Sequence, residues 1–157
     1  MARVPSCINC AGTCIAGGQS CSDPSQLILK LSAATNAHGE IATGTTYPTE
    51  ICYDQIFGSQ YTGANPQTCT GSNRVLRLSA STNAQAEGPL GTVYGTDVCY
   101  GNLECQLVVG SCSPGFTEVV ALSGSINAHL ETASANQYNT FICCKPSTTI
   151  NDLYWGN

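Results

Sequence analysis

Three short stretches of the chain alternate apolar and polar side chains with a period of two. In the first, Leu27, Leu29 and Leu31 share one side, with Ile28, Lys30 and Ser32 on the other. The second sets Leu76 and Leu78 against Val75, Arg77 and Ser79, and the third sets Val120 and Leu122 against Val119, Ala121 and Ser123. A period of two carried by branched residues predicts a half-buried β-strand. Lys30, Arg77 and Ala121 occupy one equivalent position, as expected of a solvent-facing slot. Beyond Gly-, Thr-, Pro- and Ser-rich loops, a second strand is predicted to end each unit: Tyr47 to Tyr53, Tyr94 to Tyr100, and Tyr138 to Cys143. Leu103 to Val109 predicts an extra short strand, and no longer window carries helical periodicity. The chain reads as all-β.

These stretches belong to one sentence written three times. It runs from Leu31 through Asn36, Ala37, Glu40 and Tyr47 to Cys52, from Leu78 through Asn83, Ala84, Glu87 and Tyr94 to Cys99, and from Leu122 through Asn127, Ala128, Glu131 and Tyr138 to Cys143. In each copy the steps are 5, 4, 7 and 5 residues for Leu to Asn, Asn to Glu, Glu to Tyr and Tyr to Cys. Repetition at this period means one supersecondary unit used three times. The expected organisation is a Cys-rich arm (1–20), repeat one with its connector (21–68), repeat two with its connector (69–111), repeat three (112–144) and a tail (145–157). A sandwich, or a stack of small disulfide-linked β units, is the expected architecture.

The chain of 157 residues carries 11 cysteines, a density that reads as a disulfide scaffold. Cys21/Cys52, Cys69/Cys99 and Cys112/Cys143 recur at separations of 31, 30 and 31 residues, which proposes one bridge per repeat. Pairing between neighbouring repeats is the rival connectivity, and spacing does not choose between them. Cys7, Cys10, Cys14, Cys105 and Cys144 remain, an odd number that leaves one thiol free or bonded to another subunit. Cys7-x2-Cys10-x3-Cys14 has no second pair to complete a zinc site, so no metal and no cofactor is expected. Such cysteine density belongs to oxidising compartments, and a secreted or cell-surface protein is expected. The start at Met1 lacks a signal peptide's apolar core, so an exported protein would have its leader outside this chain.

Charge narrows the function further. The net charge is −5 with five basic residues, Arg3, Lys30, Arg74, Arg77 and Lys145. They form no patch, which argues against nucleic acid. No apolar run is long enough to span a bilayer as a helix. Charged residues make up 10% of the chain, leaving little electrostatic protection against self-association. Abundant Ser and Thr in the loops leave room for O-linked glycans.

The element of chemical interest is Asn36-Ala-His38-Gly-Glu40, with its counterparts Asn83-Ala-Gln85-Ala-Glu87 and Asn127-Ala-His129-Leu-Glu131. On a strand, its Asn, His and Glu would lie in a row on one face. Two readings compete: a structural ladder of side-chain-to-backbone hydrogen bonds, and a cation or glycan site. Gln85 cannot act as a general base, so the element survives loss of its titrating group and no catalytic residue is assigned. No hydrolase elbow, phosphate loop or zinc-protease motif is present, and the chain is not expected to be an enzyme.

The run Leu-Ser-x-x-Thr-Asn-Ala-His-x-Glu…Tyr…Ile-Cys-Tyr resembles repeats in uncharacterised secreted Cys-rich β-repeat surface proteins of archaea and bacteria. Repeat two departs at Gln85, and repeat three at Ile126 and Cys144. The resemblance implies a cell-surface β module and supplies no catalytic residues. The leading expectation is a structural subunit of an extracellular filament that partners itself, because stacked repeats leave open ends and head-to-tail contacts that do not close make fibres. Tyr154 and Trp155 in the tail are candidate interface residues. The alternative is an adhesin-type module that binds a glycan or protein.

Overall fold

The computed structural model describes residues 14–15 and 18–147. Strands β1 (Cys14–Ile15) and β2 (Gly18–Gln19) form a small antiparallel hairpin. Repeat one then forms a three-stranded sheet from β3 (Leu27–Leu31), β4 (Gly39–Ile41) and β5 (Thr49–Cys52), in the order β4-β3-β5. A one-turn helix, α1 (Tyr53–Phe57), follows and ends at Gly58, whose φ of 83° is open to glycine at no steric cost. Repeat two gives the same sheet from β6 (Arg74–Leu78), β7 (Ala86–Glu87) and β8 (Thr96–Cys99), in the order β7-β6-β8. Next comes β9 (Leu103–Val109). Repeat three supplies β10 (Thr117–Leu122), β11 (Leu130–Thr132) and β12 (Thr140–Pro146), and β9 joins them in the order β11-β10-β12-β9.

Equivalent residues pair identically in the three sheets. Lys30 faces Glu40, Arg77 faces Glu87, and Ala121 faces Glu131. The register also shifts at one equivalent place, between Leu27 and Leu29, Arg74 and Leu76, and Glu118 and Val120. A bulge there accounts for a departure from simple alternation, since it re-aims the side chain beside it. Ile28, Val75 and Val119 are therefore buried, where a period of two would have turned them to solvent. The supposed solvent slot is also covered. Lys30 Nζ donates to Gly44 O at 2.6 Å and Arg77 Nη1 to Gly91 O at 2.8 Å, each roofed by its own loop, while Ala121 is fully buried.

The repeats do not stack in a line. Backbone bridges join Gly39 to Ala84, Ala86 to Ala128, and Leu130 back to Ala37. Each bridge is reciprocated: Gly39 and Ala84 exchange bonds of 2.8 and 3.2 Å, Ala86 and Ala128 of 2.9 and 3.0 Å, and Ala37 and Leu130 of 2.9 and 2.8 Å. Repeat one thus bonds repeat two, two bonds three, and three bonds one. The circuit closes about a pseudo-threefold axis, and the open ends expected of a linear stack are absent from it. One apolar cluster fills the interior, drawing Leu29, Leu31 and Ile51 from the first repeat, Leu76, Leu78 and Val98 from the second, and Val120, Leu122 and Ile142 from the third. Burying a side chain of this kind contributes about 1.5–3 kcal/mol. Cross-links add to this. Disulfides join Cys21–Cys52, Cys69–Cys99 and Cys112–Cys143, and Cys105 to Cys144, so the last two are not available for a bond between subunits.

The chain enters the axis through Asn36, Asn83 and Asn127, whose φ angles are 50°, 50° and 51°. Asparagine tolerates this left-handed backbone better than other non-glycine residues. That backbone breaks the strand, so Asn, His and Glu do not lie in one row as an extended chain would place them. Asn83→Gly is expected to retain most of the stability, and Asn83→Val to lose about 1–2 kcal/mol, the ordinary cost of a left-handed residue. Urea unfolding of the two variants checks this; equal damage from both would show that the amide, not the backbone, is what matters.

Candidate functional site

The three Asn-Ala-x-x-Glu elements converge on the axis, and each carries a buried carboxylate. Glu40, Glu87 and Glu131 are 1%, 2% and 1% exposed, and each accepts bonds from the loop that precedes the repeat's tyrosine. Glu40 Oε1 takes the N–H of Thr46 at 3.1 Å and of Tyr47 at 2.9 Å. Glu87 Oε2 takes Val93 at 3.1 Å and Tyr94 at 2.7 Å, and Glu131 Oε2 takes Gln137 at 2.9 Å and Tyr138 at 2.7 Å. A threonine from the neighbouring repeat completes two of the three. Thr82 Oγ1 donates to Glu40 at 3.0 Å, and Thr35 Oγ1 donates to Glu131 at 3.0 Å. The position that would serve Glu87 is Ile126, which has no hydroxyl. Hydrogen-bonded carboxylates of this kind hold loops and join repeats; their oxygens are committed to the fold.

The remaining letters of the element form a polar array at one pole of the axis. Tyr47, Tyr94 and Tyr138 each point a hydroxyl at the asparagine of another repeat, at 3.4 Å from Asn83, 3.4 Å from Asn127 and 3.5 Å from Asn36. His129 Nδ1 lies 2.6 Å from Asn36 Oδ1, within hydrogen-bond distance. His38 and His129 come together edge to face, with ring centres 5.2 Å apart. Gln85 holds the third equivalent position. The structure therefore gathers the two histidines that the sequence separates by 91 residues. The one grouping of three metal-type side chains among the described residues, Cys21, Glu50 and Cys52, has both sulfurs spent in a disulfide.

Farther from this array, the residues after each closing cysteine meet in the core. Tyr53 and Tyr100 stack with ring centres 5.4 Å apart, Tyr61 packs against both, and Cys144 takes the equivalent place in repeat three. The Tyr100 hydroxyl donates to Ser25 O, and burial pushes its phenol above the ordinary range. Cys144 replaces a tyrosine because β9 brings Cys105 directly opposite it.

Two surfaces that periodicity did not reveal stand out. The first is a groove of about 190 Å³ along β8, lined by Ile28, Ile41, Gln67 and Thr96 to Cys99. The second, of about 590 Å³, lies between the loop after Glu87 and β9, and includes Leu90, Val93, Leu107 and Ile126. The only sequence signal for the second was Ile126, noted as a departure from the repeat. Cys7, Cys10, Tyr154 and Trp155, with the side chain of Cys14, lie outside the described residues. No known protein family, curated protein or solved structure matches the chain. No helix among the described residues is long and apolar enough to cross a membrane.

Two carboxylates give opposite responses to pH. Burial alone would raise Glu40, but the N–H groups of Tyr47 and Thr46 and the hydroxyls of Thr82 and Thr46 outweigh it and hold the carboxyl below its ordinary range. Its contribution is present above the unfolded pKa and is lost as pH falls through the lower folded value. Glu118 is pushed up to about 7, by burial and then by the neighbouring Glu131. The fold keeps a proton that the unfolded chain releases, so Glu118 weakens the protein as pH rises through the interval between the two values. Thermal unfolding against pH should show Glu40→Gln losing stability at pH 7 and little at pH 3. Glu118→Gln should be more stable than the parent at pH 8, by on the order of 1 kcal/mol, and equal to it at pH 4.

Proposed function

We propose that the protein is a non-catalytic structural subunit of an extracellular assembly, built by strand addition between copies. The observation that carries this reading is a slot filled in one repeat and open in another. In repeat three, β9 pairs with β12 over seven positions, from Thr140–Val109 to Pro146–Leu103. It lies between β12 and the loop at Gly88, where a Cβ would come within 2.9 Å of Leu107. The equivalent slot in repeat two lies between β8 and the loop Ile41 to Thr43, and those same residues line the 190 Å³ groove. Among the described residues β8 ends its sheet. An edge with unpaired backbone groups is a template for another chain. Proline and unpaired charge, the usual protection, are missing from it, since Asp97 is held by Arg77 at 2.9 Å and Arg74 at 3.3 Å.

The arm supplies a donor of suitable chemistry. Eight of the 11 cysteines form the four disulfides above, leaving Cys7, Cys10 and Cys14, an odd number that cannot all pair with one another. A bond to a neighbouring copy would use the odd one and lock the added strand. Four disulfides in the body support an oxidising, extracellular setting, and a surface poor in charge supports close packing of copies. A second reading is favoured by the polar pole: Tyr, Asn and His side chains around an axis suit an adhesin-type module that binds a glycan.

Electron microscopy of purified protein separates the two. Regular fibres are expected, and deletion of residues 1–13 should leave folded monomers with an unchanged circular dichroism spectrum. Fibres that persist after the deletion would refute arm exchange. Dispersed full-length monomers that bind a glycan array would favour the second reading.

A further inference from the structure

The larger groove stands out when the repeats are compared with one another. Leu90 is 89% exposed, Val93 66% and Ile126 43%, and these are three of the four exposed large hydrophobic residues among the described residues. All three line the one groove. Their equivalents elsewhere are polar. Leu90 stands where repeats one and three have Thr43 and Ser134, Val93 where they have Thr46 and Gln137, and Ile126 where repeats one and two have Thr35 and Thr82. The scaffold tolerates polar side chains at each position, so burial in the core does not demand these apolar ones. The change at 126 also removes the hydroxyl that serves the equivalent carboxylates. Three separate departures from a polar pattern meet on one surface, with Leu107 of β9 as its wall.

We infer that this groove is the seat of the chain's own C-terminal segment, Leu153-Tyr154-Trp155. The body ends beside it. Ser147 N–H donates to Asn102 O at 2.8 Å, and Asn102 Nδ2 donates back to Ser147 O at 3.1 Å, which fixes the exit point next to the start of β9. Leu107 lies five residues farther along β9, about 17 Å at the rise of a strand. Leu153 lies six residues beyond Ser147 and Trp155 eight, extended reaches of about 20 and 26 Å, so the apolar triplet can reach Leu107. The triplet contains the chain's one tryptophan, and an aromatic side chain of this size can bury about 150–250 Å². A tether this short gives an effective concentration in the millimolar range, which favours the chain's own segment over a second copy's at ordinary dilution. The seat is separate from the β8 slot, and the inference does not depend on polymerisation.

Trp155 is the reporter. In the full chain its emission should be blue-shifted and poorly quenched by acrylamide, and independent of protein concentration. The triple variant Leu90→Ser, Val93→Gln, Ile126→Thr installs residues that the equivalent positions already carry. It should move the emission to that of a solvated indole and raise quenching several-fold, with the melting transition still cooperative. A chain ending at Ser147 should bind the apolar dye ANS at the bared groove, and the same truncation in the triple variant should not; this arm compares the groove directly and does not rely on the tail's signal. A tryptophan already solvated in the parent, or unmoved by the triple variant, overturns the inference. Protection that vanishes on dilution together with a dimer in size-exclusion chromatography also overturns it, and assigns the groove to a second copy.

Discussion

Everything in this molecule depends on the nine backbone hydrogen bonds that close three repeats into a ring. Each contributes only about 1 kcal/mol net, but an unmade bond at a buried axis would cost more than that. Their geometry dictates side chains nearby. The chains must come close, so Ala37, Ala84 and Ala128 stand at the crossing, all fully buried. Each chain must turn sharply to arrive there, so an asparagine with positive φ precedes each alanine. Each must then be held against its own loop, so a buried glutamate follows, binding two backbone N–H groups. The Asn-Ala-x-x-Glu spacing is the footprint of closure, and closure is why the middle copy can carry Gln85 without harm.

A closed ring of three like units would be uniform, and this one is not. The departures from threefold likeness fall in a few places. Cys144 replaces a core tyrosine and is cross-linked to Cys105 on β9. The polar rim is interrupted by Leu90, Val93 and Ile126. The edge of β12 is covered while that of β8 ends its sheet. Positions common to the three copies turn, pack or cap, which are requirements of the fold. Positions that differ are free of those requirements, and their chemistry is the better guide to what the protein meets.

The strands and bridges were legible in the sequence because each leaves a side-chain signature. Alternating Leu and Val marked β3, β6 and β10, and recurrence at 31, 30 and 31 residues marked three of the four disulfides among the described residues. The fourth, Cys105–Cys144, joins the inserted β9 to a position where the other two copies carry tyrosine, so no period could pair them. Closure itself was illegible. It is made by backbone groups of Ala, Gly and Leu, and a linear array has the same sequence as a ring. Strands β4, β7 and β11 are two or three residues long, too short to show alternation. The bulges that bury Ile28, Val75 and Val119 left no residue-type mark. The Asn-His-Glu row was expected because an extended chain was assumed where asparagine in fact turns it.

Ring closure and the proposed strand addition look opposed, since a closed circuit uses up its own bonding surfaces. They are reconciled by where those surfaces lie. Closure consumes the inner edges, those of β4, β7 and β11, which face the axis. It leaves untouched the outer edge of β8, which ends its sheet among the described residues. Repeat three covers the equivalent edge, that of β12, with β9, a strand inserted outside the three-stranded unit. Had the same insertion been made at β8, the body would have no such open edge in repeat two and no means of adding a strand there. A scaffold that closes at its centre can still grow at its rim, provided that one rim position is left unfilled.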